Sequence, residues 1–236
     1  MPEINSSITL SNEPAPGGKQ TAGLLQRLTP WIFGILVLSA YLYHTKHYAF
    51  LGDDCFISFR YAQNLNLGHG LVYNPGEFVE GYTNFLWTFI LGIAIWVGAN
   101  PIAVSQTLGV LAAVALIALT YRLAGERGAW GAILAAAFVA TSPELALEAV
   151  QGLETTTFAL LVGLTLTLRL REQIEPNATP WSGLAGGLAA LCRPEGYLVF
   201  ALLEAIGLLA GGRARLRQRL PAWGLFLVLA VPHLAF

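Results

Sequence analysis

Uniformly apolar stretches recur along almost the whole chain, at 30–48, 85–98, 101–121, 128–141, 153–170, 181–191, 196–210 and 221–236. Only 11% of residues are charged while 55% are hydrophobic, whereas a soluble domain carries about a quarter charged residues. The chain therefore belongs in a membrane. Strands of a membrane barrel alternate in hydrophobicity, but stretches such as LAAVALIAL and ILAAAFVA are apolar at every position. The expected fold is an all-α polytopic membrane protein. A crossing helix needs roughly 20 residues and runs of about 10–14 can be re-entrant or partly buried, so about seven or eight membrane segments are expected.

Residues 1–29 are mostly polar. Their stretch SSITLSNEPAPGGKQ has the Pro, Gly and Ser content of a disordered tail, expected on the cytoplasmic side, and no cleavable signal peptide is evident. The formal net charge of −1 gives no sign of a nucleic-acid partner. Cys55 and Cys192 form no CxxC pair or metal-ligand pattern and read as packing residues.

The long polar interval is 49–84. Within it, 53–67 has the periodicity of an amphipathic helix lying along the membrane surface, with Phe56, Phe59, Ala62 and Ile57, Tyr61, Leu65 at helical spacing. Gly68-His69-Gly70 ends it. Asn74-Pro75-Gly76-Glu77 predicts a type II turn, flanked by Leu71-Val72-Tyr73 and Phe78-Val79-Glu80 as a short hairpin. Thr83 or Asn84 is placed to cap the next helix. Further on, Gly183 with Gly187 and Gly207 with Gly211 have the four-residue spacing that permits close helix packing.

Carboxylates beside hydrocarbon are costly unless paired, hydrated or used. Asp53 and Asp54 open the amphipathic helix, where an acid also favours the helix dipole; one acid would suffice for that. Two adjacent carboxylates can act as a general base with a metal ligand, or as a base whose pKa its neighbour raises. Glu77, Glu80 and His69 follow in the same loop, Glu80 within Val79-Glu80-Gly81-Tyr82-Thr83-Asn84. Glu144, Glu148 and Glu154 cluster between later apolar runs. Arg193 precedes Pro194, which should break a helix; there it is suited either to a phosphate or to an internal salt bridge with Glu195 or Glu204.

Arg213, Arg215, Arg217 and Arg219, with weaker signals from Arg169, Arg171, Arg122 and Arg127, mark the cytoplasmic side by the positive-inside rule. If every run crosses, the Asp53 loop shares that side. If one segment between Asn84 and Tyr121 fails to cross, the loop lies opposite, and 85–98 is short enough to be that segment. Parity is left open by the residues alone.

The loop residues carry a resemblance. Asp53-Asp54-Cys55-Phe56-Ile57-Ser58-Phe59-Arg60-Tyr61, with Gly68-His69-Gly70-Leu71-Val72-Tyr73-Asn74-Pro75-Gly76-Glu77 and Val79-Glu80-Gly81-Tyr82-Thr83-Asn84-Phe85-Leu86-Trp87, resembles the first external loop of GT-C membrane glycosyltransferases. It is most similar to the branch of arabinofuranosyltransferase-like and related bacterial transferases. Gly152-Leu153-Glu154-Thr155 and Arg193-Pro194-Glu195-Gly196 resemble later landmarks of that branch, so the likeness covers 30–236.

What the resemblance implies is a GT-C-like N-terminal transmembrane module, multi-pass in a bacterial inner or plasma membrane, with 49–84 as its external catalytic loop. The implied reaction takes a sugar from a polyprenyl-phosphate donor to a hydroxyl acceptor (a glycan, lipid or protein). Asp53 would be the general base, with Asp54 assisting it or holding a divalent Mg or Mn ion. Arg193 or Arg60 would lie near the donor phosphate, and Glu154, with Glu80 as a further acid, would face the same cavity. Such transferases continue well beyond this length, so an N-terminal module of a longer enzyme is expected. The rival readings are a transporter or lipid-carrier flippase, and a catalytically silent fragment.

Overall fold

The computed structural model describes residues 16–126, 128–175, 178–211 and 216–234. Among them every regular element is a helix: α1 (Pro16–His47), α2 (Cys55–Asn66), α3 (Phe85–Trp96), α4 (Pro101–Gly125), α5 (Ala129–Ala140), α6 (Pro143–Val150), α7 (Thr155–Ile174), α8 (Trp181–Cys192), α9 (Glu195–Gly211) and α10 (Leu216–Leu234). The expected all-α membrane character holds. Leu28–His47 and Pro101–Gly125 are each long and apolar enough to cross a bilayer; α5 and α6, bent by 56°, form either a third, broken span or a re-entrant loop. The disordered tail expected over 1–29 falls, for 1–15, outside the described residues, and from Pro16 onward the backbone is already helical.

Local chemistry explains the boundaries. Asn100 accepts hydrogen bonds from the Ile102 and Ala103 amides at 2.9 and 3.3 Å, and Pro101 needs no partner for an amide it lacks, so α4 starts there. Between α5 and α6, Pro143 cannot continue the ladder and the Ser142 hydroxyl caps the new helix through the Leu145 amide. Pro194 divides α8 from α9 as its sequence predicts, leaving Arg193 extended.

Three apolar clusters join the helices. Tyr41 of α1 is fully buried among Ala113 and Ile117 of α4, Ala136 and Ala140 of α5, and Ala146 and Ala149 of α6. Trp87 and Leu91 of α3 pack on Cys55, Phe59 and Ala62 of α2. Phe200 of α9 stacks on Phe226 of α10, ring centroids 4.1 Å apart, beside Ala190 of α8. Small residues permit the tightest contacts: a Cβ at Gly183 would overlap the Ala222 carbonyl and one at Gly187 would lie 2.9 Å from Leu229 Cδ1. The close approach expected from that spacing therefore joins α8 to α10. Gly207 instead makes room for the Arg169 guanidinium.

The helix lengths and contacts bear on the parity that the residues leave open. The 12 residues of α3 rise about 18 Å, well short of a hydrocarbon core of about 30 Å, and α3 lies against α2 and the beginning of α4. The Gln106 side chain donates to the Val150 carbonyl and Thr156 donates to the Gly109 carbonyl, so the first turns of α4 share a level with the start of α7. From there α4 and α7 each run to the far end of the bundle, where Arg122, Arg171 and Arg219 lie. The Asp53 loop sits at the opposite end.

Candidate active site

The site end is assembled around α2. Its buried face carries Cys55, Ser58, Phe59, Tyr61, Ala62 and Asn64, while Phe56 and Ile57 are exposed. Gly68, at φ +80°, lets the chain reverse after the helix. The type II turn forms: Gly76 has φ +89° and the Glu77 amide donates to the Asn74 carbonyl at 3.1 Å. The hairpin expected around it does not form, because side chains of α2 take the backbone groups a ladder would use. Asn64 donates to the Val72 and Tyr73 carbonyls, both at 2.8 Å. The Tyr61 hydroxyl donates to the Val79 carbonyl and accepts from the Gly81 amide, both at 2.9 Å. Arg60, named from the resemblance as a phosphate ligand, donates through Nε to the Tyr73 carbonyl at 3.2 Å and so braces this loop.

Asp53 and Asp54 form the first turn leading into α2 and are both exposed. Their carbonyls accept from the Phe56 and Ile57 amides, but neither carboxylate caps the helix or pairs with a described side chain. Capping therefore does not explain this pair. The loop is fixed instead by backbone: the Gly52 amide donates to the Gln151 carbonyl at 3.0 Å. Gly152, next in the chain, has φ +89°, and a Cβ there would lie 3.0–3.2 Å from Leu51 and Cys55. Trp87 Nε1 closes the junction by donating to the Gly152 carbonyl at 3.1 Å.

Gly152→Ala should therefore strain the backbone and push the Asp53 turn away from α7, at a cost of about 1–3 kcal/mol. Thermal unfolding in detergent checks this, and an unchanged midpoint would refute it. Burial, with Asp53 and then Asp54 adding to it, pushes the Cys55 thiol up to about 11. Cys55 and Cys192 are both free and buried, as packing residues should be. Because Cys55 is fully buried and its thiol is held protonated, maleimide should label it after denaturation and not before.

Behind the Asp53 turn lies a buried polar network. Glu154, at the start of α7, accepts from Asn84 Nδ2 at 2.7 Å and pairs with the Arg193 guanidinium at 3.5 Å. Asn84 also donates to Ser58 Oγ at 2.9 Å, and its Oδ1 accepts from Thr88 at 3.1 Å. Arg193 pairs further with Glu195 at 3.2 Å and lies over the Phe158 ring, 5.8 Å from its centroid. The structure thus brings Glu154 and Arg193 together and leaves a face of that guanidinium open, its side chain being 34% exposed. Of the two readings of Arg193, the internal salt bridge with Glu195 is present. Glu204 is engaged elsewhere. Asn84 occupies the cap position of α3, yet its side chain does not cap; it joins α2, α3 and α7, a role its sequence position conceals.

Glu80 is exposed and lies apart from Glu154, on a groove of about 680 Å³ between the loop, α3, α8 and α10. Leu65, Leu71, Phe89 and Leu229 give its apolar walls, and Glu80, Tyr82 and His233 its polar groups. Burial raises the pKa of the Tyr82 phenol, with Glu80 adding to the effect. For a divalent metal, no cluster of three or more His, Cys, Asp or Glu side chains exists among the described residues. The unpaired Asp53 and Asp54 carboxylates nonetheless match the way Mg is held, by one or two carboxylates together with substrate phosphate.

The far end holds a second polar cluster. Arg169 and Arg219, read from sequence as loop charges, are 3% and 5% exposed. Glu204 pairs with Arg169 at 3.0 Å, accepts from Arg219 Nε and Trp223 Nε1, both at 2.9 Å, and Arg219 also pairs with Glu172. Ser182 donates through its amide and hydroxyl to Glu172, at 2.8 and 2.6 Å.

Comparison with known proteins adds one finding. The chain is 28% identical over 222 residues to a terminal β-(1→2)-arabinofuranosyltransferase of Mycobacterium tuberculosis. That match covers 86% of this chain and 35% of the other, so the chain spans about a third of its relative's length. No family model and no solved structure matches. The likeness supports a distant relationship.

Proposed function

We propose that this chain carries the catalytic portion of a GT-C-type membrane glycosyltransferase, moving a sugar from a polyprenyl-phosphate donor to a hydroxyl acceptor. The observation that carries the reading is the likeness to an arabinofuranosyltransferase over 86% of the chain. The geometry supports it with two unpaired carboxylates on a turn that is bonded to the segment leading into Glu154, and with an apolar groove at the same end suited to an isoprenoid chain. The basic residues at the opposite end support an external Asp53 loop by the positive-inside rule.

In this mechanism Asp53 takes the proton of the acceptor hydroxyl as its oxygen attacks the anomeric carbon. The bond from that carbon to the phosphate oxygen breaks, and polyprenyl phosphate leaves with the electron pair. One base and a single displacement invert the anomeric centre. Arg193, held by Glu154 and Glu195, presents its open face to the phosphate; Asp54 assists. A divalent cation, if bound, would rest on Asp54 with Asp53 and supply charge neutralisation at the departing phosphate.

The test is donor turnover. Membranes containing the chain receive a panel of labelled polyprenyl-phosphate sugars, and release of free polyprenyl phosphate is followed. Release supports the transferase. Donor that crosses the membrane intact would mean a carrier, and donor that neither moves nor breaks would reject the reading for this chain alone.

A further inference from the structure

At the basic end of the bundle, α1 is separated from α4 and α5 by a cleft of about 690 Å³. Phe33 and Val37 of α1, Val114 and Ile117 of α4, and Ile133 and Ala136 of α5 line it with hydrocarbon. Gly34 opens onto it, with no atom within 4 Å of where its Cβ would be. Among the described residues nothing polar borders the cleft until its far end, where Tyr121 and Arg122 stand in the last turns of α4. Arg122 is exposed, and no carboxylate of a described residue pairs with it. Arg169 and Arg219, by contrast, are buried and paired with glutamates, whereas Arg122 faces outward.

Dimensions and charge together define what fits. The wall from Pro30 to Leu38 rises about 12 Å, close to half of a hydrocarbon core of about 30 Å. An apolar slot one leaflet deep, with Arg122 at its outer end, matches an amphiphile with an anionic head. A soluble apolar ligand would have no use for Arg122, and a free phosphate would have none for the slot.

We propose that this cleft holds an acyl chain of an anionic phospholipid drawn from the leaflet at the basic end, with its phosphate headgroup on Arg122. The site lies at the end of the bundle away from Asp53 and stands independently of the transferase reading.

The experiment is lipid retention. The protein is purified from membranes, exchanged into detergent with equal phosphatidylglycerol and phosphatidylcholine of matched chains, and its bound lipid is counted by native mass spectrometry. Wild type should retain phosphatidylglycerol in preference. Arg122→Gln should lower that preference about fivefold, while Arg171→Gln, which removes a surface cation at the same end, should leave it unchanged. Gly34→Phe places its ring in open space and should reduce retention of both lipids. Equal retention of the two lipids by wild type, no retained lipid, an equal effect of Arg171→Gln, or indifference to Gly34→Phe would each overturn the proposal.

Discussion

Asp53→Asn should lower donor turnover by about 10²–10⁴-fold, the range expected when a positioned general base is lost. Asparagine keeps the shape of the side chain and its hydrogen-bonding capacity but cannot take a proton. The comparison is clean because the Asp53 carboxylate is exposed and makes no bond that holds the fold, so thermal unfolding should be unchanged. Asp54→Asn should have the smaller effect on turnover and, if this residue meets the phosphate through a cation, should raise KM. Turnover that survives in the Asp53 variant and disappears in the Asp54 variant would exchange the two roles. Survival in both would remove the pair from the chemistry.

The largest effect on stability should come from the opposite end. Glu204→Leu should destabilise the fold by about 3–5 kcal/mol, because it leaves Arg169 and Arg219 buried with half of their countercharge. The Trp223 indole and Arg219 Nε would lose their acceptor at the same time, and Arg219 Nη2 would keep only Ser182. Glu204→Gln keeps one acceptor oxygen and should fall between. Arg219→Lys should also be damaging despite keeping its charge, since a lysine cannot reach Glu204, Glu172 and Ser182 together as the guanidinium fork does. A Glu204→Leu protein that unfolds at the wild-type temperature would show that these charges do not hold the helices.

Local signals were legible in sequence where one segment decides its own conformation. The amphipathic helix before Gly68, the turn at Gly76 and the break at Pro194 all depend on neighbours in the chain, and all are present. What escaped depends on distant partners. Asn84 reads as a cap, yet it bonds to Glu154, 70 residues away. Arg219 reads as a loop charge because its partner Glu172 is 47 residues away. The hairpin was lost to Tyr61 and Asn64, whose place on the buried side of an amphipathic helix was the available clue. Hydropathy alone could not place α3, since a dozen apolar residues look alike whether they cross a bilayer or rest on another helix. The adjacency of Glu154 and Arg193 came from resemblance, and the structure supplies the distance.

The short helix α3 has a consequence for where chemistry can take place. Its inner side is spent on α2, while Phe89, Ile93 and Trp96 remain uncovered, Trp96 by 79%. Tryptophan settles at the boundary between hydrocarbon and water, so an α3 seated there by Trp96 would set the depth of α2 and the Asp53 turn packed on it. In the proposed reaction a lipid-borne donor and a water-borne acceptor have only that boundary in common, and a helix seated there would keep the carboxylates at the same level.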